Sequence, residues 1–308
     1  MSTTARDLTR RLRRLLLLGT ATTLVLFGAF RAVHHDAVGL ATASAPGVLA
    51  VDTAKHALVQ AGDSVPEDGL QDAGTGGFHT RISVAHQALA LAASENVTGL
   101  SGRRTLQTVT GLISVYSGWV EQANREPDGS PLRGAYLLYA HQVLDDPESE
   151  EDIMGRLDAL RGEQLAVAER QAAFGWPMRL TWAAAAVLTA ALLGALLEAQ
   201  RFARRRFRRP VNPPLLAATA LWTVGAVALA RIVLGTHGDT AASVELLRDG
   251  PTGGGIAVAA SGVEGRLADA GLWAALSDGV LVAGAALVAL SAAGLLPRIA
   301  EYRHRERR

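Results

Sequence analysis

The chain contains no cysteine among its 308 residues. Disulfides are therefore excluded, and the fold must hold by packing alone, which a helical bundle of this size can do. Lysine is almost absent: Lys55 is the only one, and the basic residues are otherwise arginine. With abundant alanine, that bias points to a GC-rich genome and a bacterial plasma membrane. Aromatics make up only 5% of a chain that is 49% hydrophobic, so the apolar excess is Ala, Leu and Val. No Ser-His-Asp set, no carboxylate pair and no nucleotide-binding loop stands out, so an enzyme is not expected and no cofactor or metal is called for.

What is present is four long, almost uncharged runs: Leu15–Val33, Met178–Leu197, Leu215–Gly235 and Gly279–Leu296. A helix rises about 1.5 Å per residue and the hydrocarbon core is about 30 Å thick, so each run is long enough to span it. The intervening charges set an orientation. Arg6, Arg10, Arg11, Arg13 and Arg14 precede the first run, Arg201 and Arg204 to Arg209 separate the second and third, and Arg298, Arg303, Arg305, Arg307 and Arg308 follow the fourth. By the positive-inside rule, residues 1–14, 198–214 and 297–308 are expected in the cytoplasm. Residues 34–177 and 236–278, richer in Asp and Glu, are then expected outside, with both termini inside. The near-zero net charge of +1 conceals this separation. A cleaved signal peptide ending near Ala43-Ser44-Ala45 is the alternative for the first run. That run is too long for such a peptide, and His34-His35-Asp36 intervenes, so an uncleaved anchor is expected.

Between the first two runs the apolar residues recur at helical spacing. The first span should continue outward, with Pro46 as a kink. Asp63–Gly77, with Pro66, Gly69, Gly74, Gly76 and Gly77, reads as a loop. Ile82, Ala85, Leu89 and Ala92 step by 3 and 4 and predict a helix over Thr80–Val97. Leu106, Val109, Ile113, Tyr116 and Val120 predict another over Gly102–Glu126, with the seam of a shallow helix crossing. Pro127-Asp128-Gly129-Ser130-Pro131 is a turn. A last helical section begins near Leu132, with a break at Pro147 and a restart capped by Asp146 or Ser149. It continues through Ile153, Leu157, Leu160, Gln164, Val167, Gln171 and Phe174, with Pro177 as a kink at the membrane. The expected fold is an all-α membrane protein: four transmembrane helices, with an extracytoplasmic antiparallel helical bundle between the first and second. Between the third and fourth runs, helices are expected over Thr240–Leu247 and Val263–Leu276, joined by the connector Gly253-Gly254-Gly255. No strand precedes these glycines and no Gly-Lys-Ser/Thr follows, so they do not form a phosphate loop.

Candidate sites are few. His34, His35 and Asp36 are adjacent and cannot chelate a metal alone, and His79 and His86 have no third ligand nearby. Arg231 lies within the third run near its outer end, and Asp278 borders the fourth, so the two are candidates for an intramembrane ion pair. Arg204, Arg205, Arg206, Phe207, Arg208 and Arg209 form the densest basic patch. It suits anionic lipid headgroups or docking of a cytoplasmic protein; nucleic acid is not expected to bind so short a membrane-bound segment.

The segments expected in the cytoplasm are too small to build a core, so any signal must pass to a separate cytoplasmic protein. The layout resembles the sensor modules of chemoreceptor-like proteins, whose helical bundles sit between two spans and often form homodimers. It also resembles the four-span actinobacterial GlnX membrane proteins. That resemblance covers the whole topology, the run Ala92–Trp119 with Arg103-Arg104-Thr105-Leu106-Gln107-Thr108-Val109, and the segments Tyr116–Asn124 and Arg133–Tyr139. It implies a relay between an extracellular glutamate-binding lipoprotein and a soluble Ser/Thr kinase, and it transfers no functional residue. The alternative is a transport permease of the mechanotransmission type, which shares the span order. Such proteins carry a mixed αβ outer domain and cytoplasmic coupling helices, for which Gln200–Asn212 leaves little room.

Overall fold

The computed structural model describes residues 3–65, 72–149, 151–207 and 213–305. Those residues form helices and no strand. They divide into two compact units, one of residues 1–36, 174–238 and 269–308, the other of residues 37–173 and 239–268.

The first unit contains the four apolar runs, each lying inside a longer helix: α1 (Thr3–Gly39), α7 (Trp176–Phe207), α8 (Pro213–Arg248) and α11 (Ser277–Arg305). All four are long and apolar enough to cross a membrane. The chain is a multi-pass membrane protein. Leu15, Phe30, Leu192, Leu196, Leu215 and Leu287 pack in its interior. Leu17, Val187, Val224 and Val282 are instead about 70% exposed, at 73%, 69%, 70% and 70%. Such surface would be costly in water and suits lipid. Thr22 and Thr23 turn their hydroxyls back to the carbonyls of Leu18 and Gly19, so neither polar side chain meets hydrocarbon unpaired. Gly284 lets α11 approach the Thr23 side chain so closely that a Cβ there would collide with it.

In the second unit a single π turn, Leu40–Ser44, leads into α2 (Ala45–Asp63). Pro46 stands at the start of α2, where its missing N–H costs nothing, and the wide turn before it accommodates the ring. Four further helices follow: α3 (Asp72–Ser94), α4 (Leu100–Arg125), α5 (Pro131–Leu144) and α6 (Ile153–Ala172). Every residue of the predicted α4 seam is buried, as are Ile82, Ala85, Leu89 and Ala92 of α3 and Ile153, Leu157, Leu160 and Gln164 of α6. All but Gln164 meet in one core with Ala50, Val51, Ala54 and Leu58 of α2 and Ala140 and Leu144 of α5.

The differences from the sequence reading are local. α3 starts at Asp72, inside the segment expected to be a loop; residues 66–71 of that segment lie outside the described residues. The last helical section breaks around Pro147 as expected, but the cap of its second half is Asp152 rather than Asp146 or Ser149. The Asp152 carboxylate accepts from Gly155 N at 2.6 Å and from Asp146 N at 2.5 Å, closing both the helix start and the preceding loop. Asp146 and Ser149 serve that loop instead, accepting from the backbone of Glu148 and Glu151. Towards the end of α6 Ala168 replaces Val167 on the buried face. The helix stops at Ala172, and α7 begins at Trp176, so Pro177 opens a new helix instead of kinking an old one.

Thr240–Leu247 is not a separate helix but the end of α8, which runs unbroken from Pro213 to Arg248. Gly250 and Gly253 then turn the chain with φ of 62° and 54°. The glycine run starts α9 (Gly254–Leu267) instead of linking two distant helices, and α10 (Ala270–Ala275) is a short separate piece.

Candidate functional site

Two features of the second unit combine polar groups with burial. The first is a cavity of about 760 Å³ between α2, with the π turn before it, and α9. Leu49 and Ala50 from α2 and Ile256, Ala260, Val263 and Leu267 from α9 supply its apolar walls. Thr53, His56 and Glu264 are the polar side chains among the lining residues. Thr53 spends its hydroxyl on the Leu49 carbonyl at 2.7 Å. His56 belongs to a chain of contacts: Arg81 donates to Gln60 Oε1, and Gln60 Nε2 lies 2.7 Å from His56 Nε2. Arg can only donate, so Gln60 accepts with its oxygen and donates with its nitrogen. His56 Nε2 is then the acceptor, and the ring proton sits on Nδ1. The first residues of α9 close this end, since a Cβ on Gly253 would stand 3.4 Å from His56 Nε2.

The second feature is a polar stripe on α6. Arg161 donates through Nε to Asp52 Oδ1 of α2 at 2.5 Å and through Nη2 to the Leu247 carbonyl at the end of α8 at 2.6 Å. One turn earlier Asp158 pairs with Lys55. One turn later Gln164 is fully buried against Gly47, and neither of its amide atoms has a hydrogen bond. Further along, Glu169 accepts from Arg248 at 2.8 Å, and Ser44 donates to Gln171 at 2.7 Å. Asp52 is 7% exposed and its Oδ2 is unpaired. Burial pushes its carboxyl above the ordinary 3.8, further than the hydrogen bond and charge of Arg161 bring it down. Elsewhere in the core, Tyr116 faces a second cavity, of about 540 Å³, against Leu137 and Leu144 of α5, and burial pushes its hydroxyl well up.

The sequence-predicted residues are placed as follows. Arg204 and Arg205 are exposed on the last turns of α7. Arg206 and Phe207 end that helix, whereas Arg208 and Arg209 lie outside the described residues. Arg231 on α8 and Asp278 on α11 are both exposed, and no ion pair joins them among the described residues. His34 is buried, 4.0 Å from the Phe30 ring centroid, with Nδ1 bonded to the Phe30 carbonyl at 2.8 Å. His79 is exposed and His86 half-buried on α3. No cluster of three or more His, Asp or Glu with metal-binding geometry occurs among the described residues.

The helical core and its polar stripe occupy the stretch that carries the family signal. Residues 36–173 match the family model described as Actinobacterial sensor domain. That match supports an actinobacterial sensor protein; it begins four residues before the π turn and ends one residue past α6. The matched segment supplies one wall of that cavity, from α2, and the whole α6 stripe. The other wall, α9, and the Leu247 carbonyl come from the chain between the third and fourth spans. No curated protein and no solved structure matches the chain.

The sequence reading missed Asp52, His56 and Arg161. A signal for Asp52 was present: it is the one carboxylate in the apolar stretch Gly47–Val59, on the same face as Val48 and the buried Ala45. Nothing local marks Arg161 as its partner 109 positions away.

Proposed function

We propose that the chain is a transmembrane signal relay. Its sensor domain lies outside the bacterial plasma membrane and detects an extracellular nutrient, an amino acid, directly or through a solute-binding lipoprotein. The message passes to a separate cytoplasmic Ser/Thr kinase, and the chain itself catalyses nothing. The observation that carries this reading is the sensor-domain match on the helical segment between the first two spans. The orientation rests on the arginine clusters flanking the spans. The basic cluster Arg204, Arg205, Arg206, Phe207, Arg208 and Arg209 serves as the cytoplasmic docking patch and holds anionic lipid headgroups when no partner is bound. The permease alternative is not favoured, because the segment that would have to be a mixed αβ domain contains helices and no strand among its described residues.

The test is a crosslinking pull-down from native membranes with mass spectrometry, comparing the intact protein with a form lacking residues 36–173. Capture of a solute-binding lipoprotein by the intact form only, together with a kinase by both, is the expected result. An ATPase as the dominant partner of both forms would replace the relay with the permease.

A further inference from the structure

We infer that α8 carries movement of α6 to the cytoplasmic side, so that the third span, rather than the two flanking the matched segment, is the moving part of the relay. The inference rests on the relay reading and adds to it the helix that transmits.

Continuity comes first. The chain passes between the two units four times. Just past the first boundary α1 gives way to the π turn Leu40–Ser44. At the second, residues 173–175 lie outside any helix between α6 and α7. At the fourth, α9, α10 and α11 are separate pieces. At the third, α8 runs through from Pro213 to Arg248 without a break. At about 1.5 Å per residue its 36 residues make a rod of about 54 Å. Its prolines, Pro213 and Pro214, stand in the first turn, where they remove no helical hydrogen bond. Links and helix ends absorb rotation locally, whereas an unbroken helix moves as a body.

Both ends of that rod are fastened. The last carbonyls of a helix have no partner within it. Arg161 of α6 donates to one of them, Leu247 O, at 2.6 Å, and brings positive charge to the end of α8 where the helix dipole favours it. The same guanidinium holds Asp52 of α2 at 2.5 Å, so α2, α6 and the end of α8 share one fixing point. Two turns further along α6, Glu169 Oε1 accepts from Nε and Nη2 of Arg248, the last residue of α8, at 3.2 and 2.8 Å. At the other end Gln200 of α7 donates to the Thr219 hydroxyl at 2.7 Å and to Leu215 O at 3.1 Å, in the first turns of α8. Gln200 stands one turn before Arg204, where the basic cluster begins. A shift of α6 against α2 therefore pulls on the outer end of α8, and the inner end delivers it to the base of α7.

The experiment uses the full chain in nanodiscs of phosphatidylglycerol and phosphatidylethanolamine. With no native cysteine, spin labels attach only where one is introduced. Arg201→Cys on α7 with Leu216→Cys on α8 reads the fastened inner ends. Arg10→Cys on α1 with Arg201→Cys reads the flanking spans, which Arg11 and Glu198 join at 2.7 Å. All three labelled positions are exposed. The outer end of α8 is freed by Glu169→Gln together with Arg161→Met and Asp52→Leu, which strands no carboxylate, and an unchanged melting profile shows that this variant is folded. Glu169→Arg, which repels Arg248 and removes no buried group, serves as the second variant. Paramagnetic resonance should show the α7–α8 distance shifting by about 1–2 Å in both, with the α1–α7 distance unchanged. Gly235→Pro, placed where α8 has open space around it, kinks the rod and should abolish the shift. An α7–α8 distance that stays the same when the outer end is freed, a shift confined to the α1–α7 pair, or a shift that survives Gly235→Pro overturns the proposal. Partner capture in the pull-down is read separately. If capture occurs as expected while the α7–α8 distance stays still, the carrier is wrong and the relay stands; a shift without capture leaves α8 standing as the transmitter and removes the relay's partners.

Discussion

Buried Asp52 and half-buried Arg161 form a pair in which each end has a different obligation. The arginine divides its donors between the Asp52 carboxylate at 2.5 Å and the Leu247 carbonyl at 2.6 Å, while the second oxygen of Asp52 has no partner. Removing the arginine strands a carboxylate and a backbone carbonyl together. Arg161→Ala should therefore destabilise the bundle by about 3–5 kcal/mol, whereas the double replacement Arg161→Met with Asp52→Leu should recover most of that loss. Chemical denaturation in nanodiscs, followed by circular dichroism, checks both.

The same pair sets a pH dependence. Because burial raises the Asp52 carboxyl above 3.8, the folded protein holds that proton more tightly than the unfolded chain does. Its contribution to stability is thus full below 3.8 and declines as pH rises through the folded value. Subtracting the melting curve of Asp52→Asn from that of the wild type across this window should isolate the decline. In Arg161→Ala the decline should be larger and extend to higher pH, since nothing then opposes the burial. A difference that rises with pH would contradict the assignment.

The α4 seam predicts ordinary core energetics. Ile113 is fully buried among Phe78, Val109 and Leu157, and Ile113→Ala should cost about 2–5 kcal/mol. Val115, 46% exposed on the same helix, should tolerate alanine within about 0.5 kcal/mol. Equal effects at the two positions would show that the seam is misplaced.

Asp152 closes the start of α6 and the loop before it. Asp152→Ala should cost about 1–2 kcal/mol, Asp152→Asn a part of that because its single amide oxygen can keep only one of the two bonds, and Ser149→Ala little, as measured by the denaturation midpoint.

How much of this was legible in the sequence depends on the range of the interaction. Leu106 to Val120 could be read at once, because helical spacing alone forces those side chains onto one face. The spans could be read because lipid thickness imposes a minimum length. Thr240–Leu247 reads as a separate helix in the sequence because the apolar third run ends at Gly235. The backbone runs on past it, with Thr236 and Ser243 bonding back to the carbonyls of Ile232 and Asp239. Asp152 lost to Asp146 in the sequence reading because capping residues crowd that loop, and only geometry shows which carboxylate reaches Gly155 N. The cavity and the Arg161 bridge were out of reach. Both require residues 239–268 to return to helices made much earlier in the chain, and local periodicity carries no record of that return.

That return bears on how the protein is made. The unit holding residues 37–173 is completed by residues 239–268, so residues 174–238, including two spans, must be synthesised in between. At about 5–20 residues per second this is a wait of several seconds. Throughout it α2 faces solvent along the side that α9 will cover, and Arg161 lacks the Leu247 carbonyl it will bind. A chain arrested after the second span would hold a five-helix intermediate with an open flank, the state most exposed to chaperones and proteases during biogenesis.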